Sequence, residues 1–120
     1  RSTLFPYTTL FRSPAGATIA LVAPITRIDK TVEFDTWLKK LKDSQAKGVI
    51  MVHIGRIAAG NIGKTRNVGE GVWEKKINYG SGYRLYYCNC KQRWILLLCG
   101  GSKSTQSMDI VQAKKIKKGL

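Results

Sequence analysis

Val72-Trp-Glu-Lys-Lys-Ile-Asn-Tyr-Gly-Ser-Gly-Tyr-Arg-Leu-Tyr-Tyr-Cys88 reads as two strands around a glycine turn. Val72–Ile77 and Tyr83–Cys88 carry the β-branched and aromatic residues that suit a pleated surface, and Asn78–Gly82 supplies the turn chemistry. Arg93-Trp-Ile-Leu-Leu-Leu-Cys99 follows after only Asn89–Gln92. Three strands joined so closely are expected to pair as an antiparallel meander. Nine of the twelve glycines fall between Gly55 and Gly101, which fits a turn-rich sheet region.

Upstream of the meander the period becomes helical. Phe34, Trp37, Leu38 and Leu41 recur at i, i+3, i+4 and i+7 after Thr31, a residue suited to cap a helix. A second helix is expected from Ser44, with Ala46, Val49, Ile50, His53, Ile54 and Ile57 on one face and Gly60-Asn61 as its stop. Only a turn separates the two, so they form an antiparallel helical hairpin. Ile25–Asp29 reads as a short strand before them, and Ser107–Lys118 as a last helix with Ile110, Ala113 and Ile116 inward. The order is β-α-α-β-β-β-α. This is a small single α+β domain, with the helical hairpin packed on an antiparallel sheet.

Composition limits the function. The 120 residues carry 21 Lys+Arg against 7 Asp+Glu, a net charge of +14 and a pI near 10.1. A hydrophobic content of 43% argues against intrinsic disorder. The apolar run Trp94–Cys99 is strand-sized, far short of the roughly 20 residues of a membrane span. Three cysteines cannot all pair internally, and a reduced cytoplasmic domain is expected, with no membrane partner. The charge calls for a polyanion: nucleic acid, an anionic surface or an acidic protein.

Residues 1–22 are set apart from a domain expected over 23–120. Thr3–Ser13 resembles the conceptual translation of a short-read sequencing adapter, and it is expected to have no defined partner in the fold. Pro14–Val22 reads either as upstream read-through or as an apolar lead-in. Arg1 and Arg12 contribute two of the fourteen net positives, so the basic character belongs to the domain.

Enzyme constellations built on carboxylates or a triad are missing. One histidine, His53, offers a single possible base, and its place on a helical stripe favours a helix–sheet contact over catalysis. Seven scattered acids form no metal cluster, and Cys88-Asn-Cys90 lacks a second Cys/His pair at zinc spacing; no metal or other cofactor is expected. Gly69-Glu-Gly71 and Gly80-Ser-Gly82 match no phosphate loop, and turn chemistry explains them. The remaining candidates are cations at strand ends: Arg84 after the glycine turn, Lys76 on the neighbouring strand, and Lys103 where the last strand leaves the sheet. Lys39, Lys40, Lys42 and the C-terminal lysines read as solvated helix faces, and Trp37, Trp73 and Trp94 as core before stacking platforms. Arg and Lys without carboxylates can still act on a phosphodiester by stabilising the charge of its pentavalent transition state. With RNA, the neighbouring 2′-hydroxyl supplies the nucleophile. Alternation puts Tyr86 on the face of Arg84, where it could stack on a base or move a proton.

These stretches also carry a resemblance. Glu33–Asp43, Ala59–Gly63, Asn67–Glu74, Ile77–Tyr87, Leu96–Gln106 and Asp109-Ile110 resemble, in order, the RelE/ParE superfamily of type II toxins, in the HigB-related branch called addiction module killer proteins. Gly82-Tyr-Arg-Leu-Tyr86 and Leu97-Leu-Cys-Gly-Gly-Ser-Lys-Ser-Thr-Gln106 are the specific elements. The resemblance implies a compact toxin fold and a cognate antitoxin, a small helix-turn-helix protein. It also implies metal-independent cleavage of mRNA, typically on the ribosome. It matches the family's basic site to Arg84 and Lys103, with Arg56 on the second helix, and Gln106 to a glutamine that orients a phosphate or base edge. Lys76 stands where the family usually has arginine, and His53 where an arginine is common on the second helix. Lys76 keeps the charge and loses the planar fork. Two other readings accompany the endoribonuclease: a ParE-like inhibitor of DNA gyrase without nuclease activity, and an inactive homologue that only binds antitoxin.

Overall fold

The structure is a computed structural model describing residues 26–120, together with the backbone of Thr9–Arg12 (β1) and Thr18–Leu21 (β2). These two strands pair antiparallel with each other as a sheet separate from that of the domain. The remainder of residues 1–25, on which much of the adapter reading falls, lies outside the described residues.

β3 (Arg27–Lys30) leads into α1 (Val32–Lys40) through Thr31. The Thr31 hydroxyl oxygen accepts from the Phe34 amide at 3.0 Å and donates to the Leu98 carbonyl at 2.6 Å, so one residue caps the helix and ties it to the sheet. α2 (Ser44–Ala58) is capped by Asp43, whose carboxylate accepts from the Gln45 and Ala46 amides. Then come β4 (Thr65–Gly69), β5 (Val72–Ile77), β6 (Tyr83–Lys91) and β7 (Trp94–Ser102), a short turn at Lys103–Thr105, and α3 (Gln106–Lys118).

The sheet order is β3-β7-β6-β5-β4. The expected meander is present as β5-β6-β7, and two features depart from expectation. An additional strand, β4, pairs antiparallel with β5 through a turn in which Gly69, Glu70 and Gly71 all have positive φ. The sheet is also mixed: β3 runs parallel to β7, because the helical hairpin carries the chain away from β3 and the meander returns it beside β3 in the same direction.

Strand alternation splits the core into two layers. Ile77, Leu85, Tyr87, Ile95 and Leu97 pack against Phe34, Ile50 and Ile57 of the helical hairpin. Val72, Tyr86, Cys88, Leu98 and Cys99 pack against Ala113 of α3 on the opposite face. The pair Gly100-Gly101 is required on both sides at once. A methyl group at Gly100 would overlap the Trp37 ring, and one at Gly101 would overlap the Asp109 carboxylate. Gly100→Ala and Gly101→Ala should each cost about 1–3 kcal/mol through overpacking, read as a lower urea midpoint with an unchanged m value.

Candidate nucleic-acid interface

The α3 face of the sheet holds a cationic cleft. Lys76 on β5 and Arg84 on β6 are directly paired residues, so their side chains leave the sheet on the same side, one strand apart. Glu74 and Tyr86 form the next pair on that face. Lys103 closes the end of the cleft, its backbone amide donating to the Gly82 carbonyl at 3.3 Å. The glycine turn borders the same end, with Gly80 and Gly82 at positive φ and the Tyr79 hydroxyl anchored on the Gln45 amide oxygen at 2.9 Å. These groups line an open pocket of about 370 Å³, bordered by Lys76, Asn78, Tyr79, Ser81, Arg84 and Lys103. A second cavity of about 350 Å³ shares Lys76 and Arg84 and continues toward the β4 edge, past Glu74 and Gln106 to Lys64 and Arg66.

Arg84 is 6% exposed, and its Nε and Nη1 have no hydrogen-bond partner. Glu74, also 6% exposed, lies nearby, but its Oε2 is 3.7 Å from Arg84 Nε, too far for a hydrogen bond. The carboxylate is already committed. Oε2 accepts from the Tyr86 hydroxyl at 2.9 Å and the Gln106 amide at 2.8 Å, and Oε1 accepts from Arg66 Nε at 3.2 Å. Burial pushes the Glu74 pKa up, and the hydrogen bonds from Gln106, Tyr86 and Arg66 together outweigh it, so the net shift is downward. Arg84 is thus ion-paired with Glu74 and still keeps two buried donors without a hydrogen bond, an arrangement suited to an added anion.

The other candidate residues divide. Tyr86 is fully buried, so its ring offers no face to a base. Burial and the bond to Glu74 push its pKa far up, and it keeps its proton. It positions Glu74. Gln106 must present its NH2 to Glu74, because a carboxylate only accepts; its Oε1 is what it can offer a ligand. Arg56, which the resemblance matches to the same basic site as Arg84 and Lys103, does not line the cleft. It sits near the C-terminal end of α2, on the helical-hairpin side, close enough to His53 and Lys75 to influence both. Lys75 faces that side because it alternates with Glu74 and Lys76 along β5.

Sequence reasoning misses Glu74, Arg66 and Lys64. The available signal is Glu74 standing two residues before Lys76 in a strand, and therefore on its face. It misses Lys75 as well. That residue is 6% exposed, and its ammonium donates to the Ile62 carbonyl at 2.7 Å. Among the described residues, no group of three His, Cys, Asp or Glu side chains could hold a metal ion. No described helix is long and apolar enough to cross a membrane.

His53 on α2 has a buried, unpartnered Nδ1, and burial, then Lys75 and Arg56, lower its pKa. An NMR titration of this single histidine should show a midpoint below 6.5, and Lys75→Met should raise it. Its contribution to stability is complete above 6.5 and declines as pH falls from there to the lowered folded value, since in that window only the unfolded chain takes up the proton.

The comparisons with known proteins accord with this architecture. No family model matches the chain. A curated protein of Haemophilus influenzae (strain ATCC 51907 / DSM 11121 / KW20 / Rd), described as an uncharacterized protein, is 45% identical over 94 residues, 78% of this chain and 95% of its own length. The chain belongs to the family of that protein. Among solved structures, the E. coli toxin RelE, in the free state and with two arginines changed to alanine, superimposes with a TM-score of 0.60. The match covers 80% of this chain and 99% of RelE at 14% identity. This family member therefore has a RelE-like fold: a small α+β domain with a five-stranded sheet and three helices.

Proposed function

We propose that the protein is the toxin of a type II toxin–antitoxin module, a metal-independent endoribonuclease that cleaves mRNA on the ribosome. One observation carries this reading. Arg84 holds buried, open donors in a cleft walled by Lys76 and Lys103, and Glu74, the acid that lines it, is already saturated.

The chemistry follows from that arrangement. The ribose 2′-oxygen loses its proton to water and attacks phosphorus, and the P–O5′ bond breaks as the leaving oxygen takes a proton from water, giving a 2′,3′-cyclic phosphate and a 5′-hydroxyl. Negative charge grows on the equatorial oxygens, and Arg84, with buried and unbonded Nε and Nη1, stabilises it once the phosphate has entered the cleft. Lys76 and the exposed Lys103 clamp the phosphate from two sides. Gln106 Oε1 accepts from the 2′-hydroxyl or a base N–H. An antitoxin with an acidic segment neutralises the same surface.

The test is induction in a bacterial host, with growth recorded and mRNA 5′ ends mapped by primer extension. New discrete ends with growth arrest are expected. Arrest with DNA-damage signalling and no new ends would overturn the nuclease and support gyrase inhibition.

A further inference from the structure

The cleft is longer than one phosphate needs. From Arg84 the second cavity runs to the β4 edge, where Lys64 and Arg66 line it. Lys64 is exposed, and among the described residues no carboxylate lies within ion-pairing distance of it. Arg66 places Nε and Nη2 on Glu74 Oε1, both at 3.2 Å, while its side chain remains 61% exposed. Glu74 thus orients Arg66 along the cavity and leaves the other edge of its guanidinium open. The two cavities meet at Lys76 and Arg84, so cations stand on both sides of the central arginine: Lys103 on one, Lys64 and Arg66 on the other. A phosphodiester must enter the cleft to reach the buried guanidinium, which favours a flexible single strand over a stiff duplex.

From this we infer that the cavity between β4 and α3 is a second nucleotide subsite. It binds, through Lys64 and Arg66, the phosphate adjacent to the one on Arg84 in single-stranded nucleic acid. This rests on the phosphodiester-binding reading above and adds direction to it: the strand crosses the sheet from the glycine turn to β4.

The experiment uses the full chain and oligothymidylates, which lack a 2′-hydroxyl and cannot be cleaved by internal attack. Affinity for thymidine 3′,5′-bisphosphate and for two- and three-nucleotide oligomers, phosphorylated at both ends, is measured by calorimetry at two salt concentrations. Each phosphate added within the cleft should tighten binding roughly tenfold and steepen the dependence of log K on log salt by about 0.7. In Lys64→Ala, a surface change that leaves the fold intact, that gain should fall to about threefold. In the Lys64→Ala/Arg66→Ala double variant it should fall below twofold. An undiminished gain in both variants overturns the subsite and leaves the central site standing. Absence of Arg84-dependent binding of any of these ligands overturns the subsite together with the reading beneath it.

Discussion

Arg84→Met should abolish growth inhibition and lower RNA cleavage by about 100- to 1000-fold, while changing stability by no more than about 1 kcal/mol, since the lost ion pair with Glu74 offsets the relief of the open donors. The two effects have one origin. A 6% exposed guanidinium with Nε and Nη1 unbonded costs folding free energy, which its ion pair with Glu74 offsets in part and, on the proposed reading, a bound phosphate would offset further. Methionine keeps the unbranched stem in the packing and removes the open donors. Glu74 is not orphaned by the change, since Tyr86, Gln106 and Arg66 still donate to it. Cleavage rates on a short RNA, toxicity on induction and a urea melt together check this. A variant that remains fully toxic, or that unfolds by several kcal/mol, would show that Arg84 serves the fold and not a substrate. Arg84→Lys should recover little cleavage, because an ammonium cannot present a planar pair of donors.

Glu74→Leu should have the opposite signature, losing about 3–5 kcal/mol and more than about 10 °C in Tm. The leucine would leave the Tyr86 hydroxyl, the Gln106 amide and the Arg84 guanidinium buried around an apolar side chain. Glu74→Gln should fall between, at about 2 kcal/mol, since one face of its amide must point a donor at donors. The wild type should also be acid-sensitive through this residue. Its folded pKa is lowered, so its contribution is fully present above the ordinary value near 4.5 and disappears as pH falls through the lowered one. Chemical denaturation from pH 7 to pH 3 should show that acid-dependent loss in the wild type and a flatter profile in Glu74→Gln. Equal pH profiles would mean that Glu74 is not held ionised by its neighbours.

Much of this is legible in the chain. Local periodicity identifies both helices of the hairpin, α3 and the β5-β6-β7 meander, because a 3.6-residue stripe and a two-residue alternation are written directly into which side chains are apolar. The Thr31 cap and the turn from Asn78 to Gly82 are equally plain, since caps and turns depend on neighbours in sequence. β4 is not. Thr65-Arg-Asn-Val-Gly69 is short and polar, and it is a strand because β5 offers it an edge to pair with.

The candidate site divides along the same line. Residue type and position point to Arg84, Lys76 and Lys103 from the sequence alone, and alternation puts Tyr86 beside them. Only the folded chain decided what each could do, because those roles depend on partners far apart in sequence. Gln106 lies 32 residues from Glu74, yet its NH2 donates to that carboxylate, which leaves Oε1 for a ligand. The β5 register sends Lys75 to the side of the sheet where Arg56 lies, and Lys76 to the other. By itself the sequence determined a basic α+β domain with arginine and lysine at its strand ends. Tertiary packing decided which arginine is buried with donors to spare, since burial and hydrogen-bond satisfaction are properties of a whole neighbourhood and of no single segment.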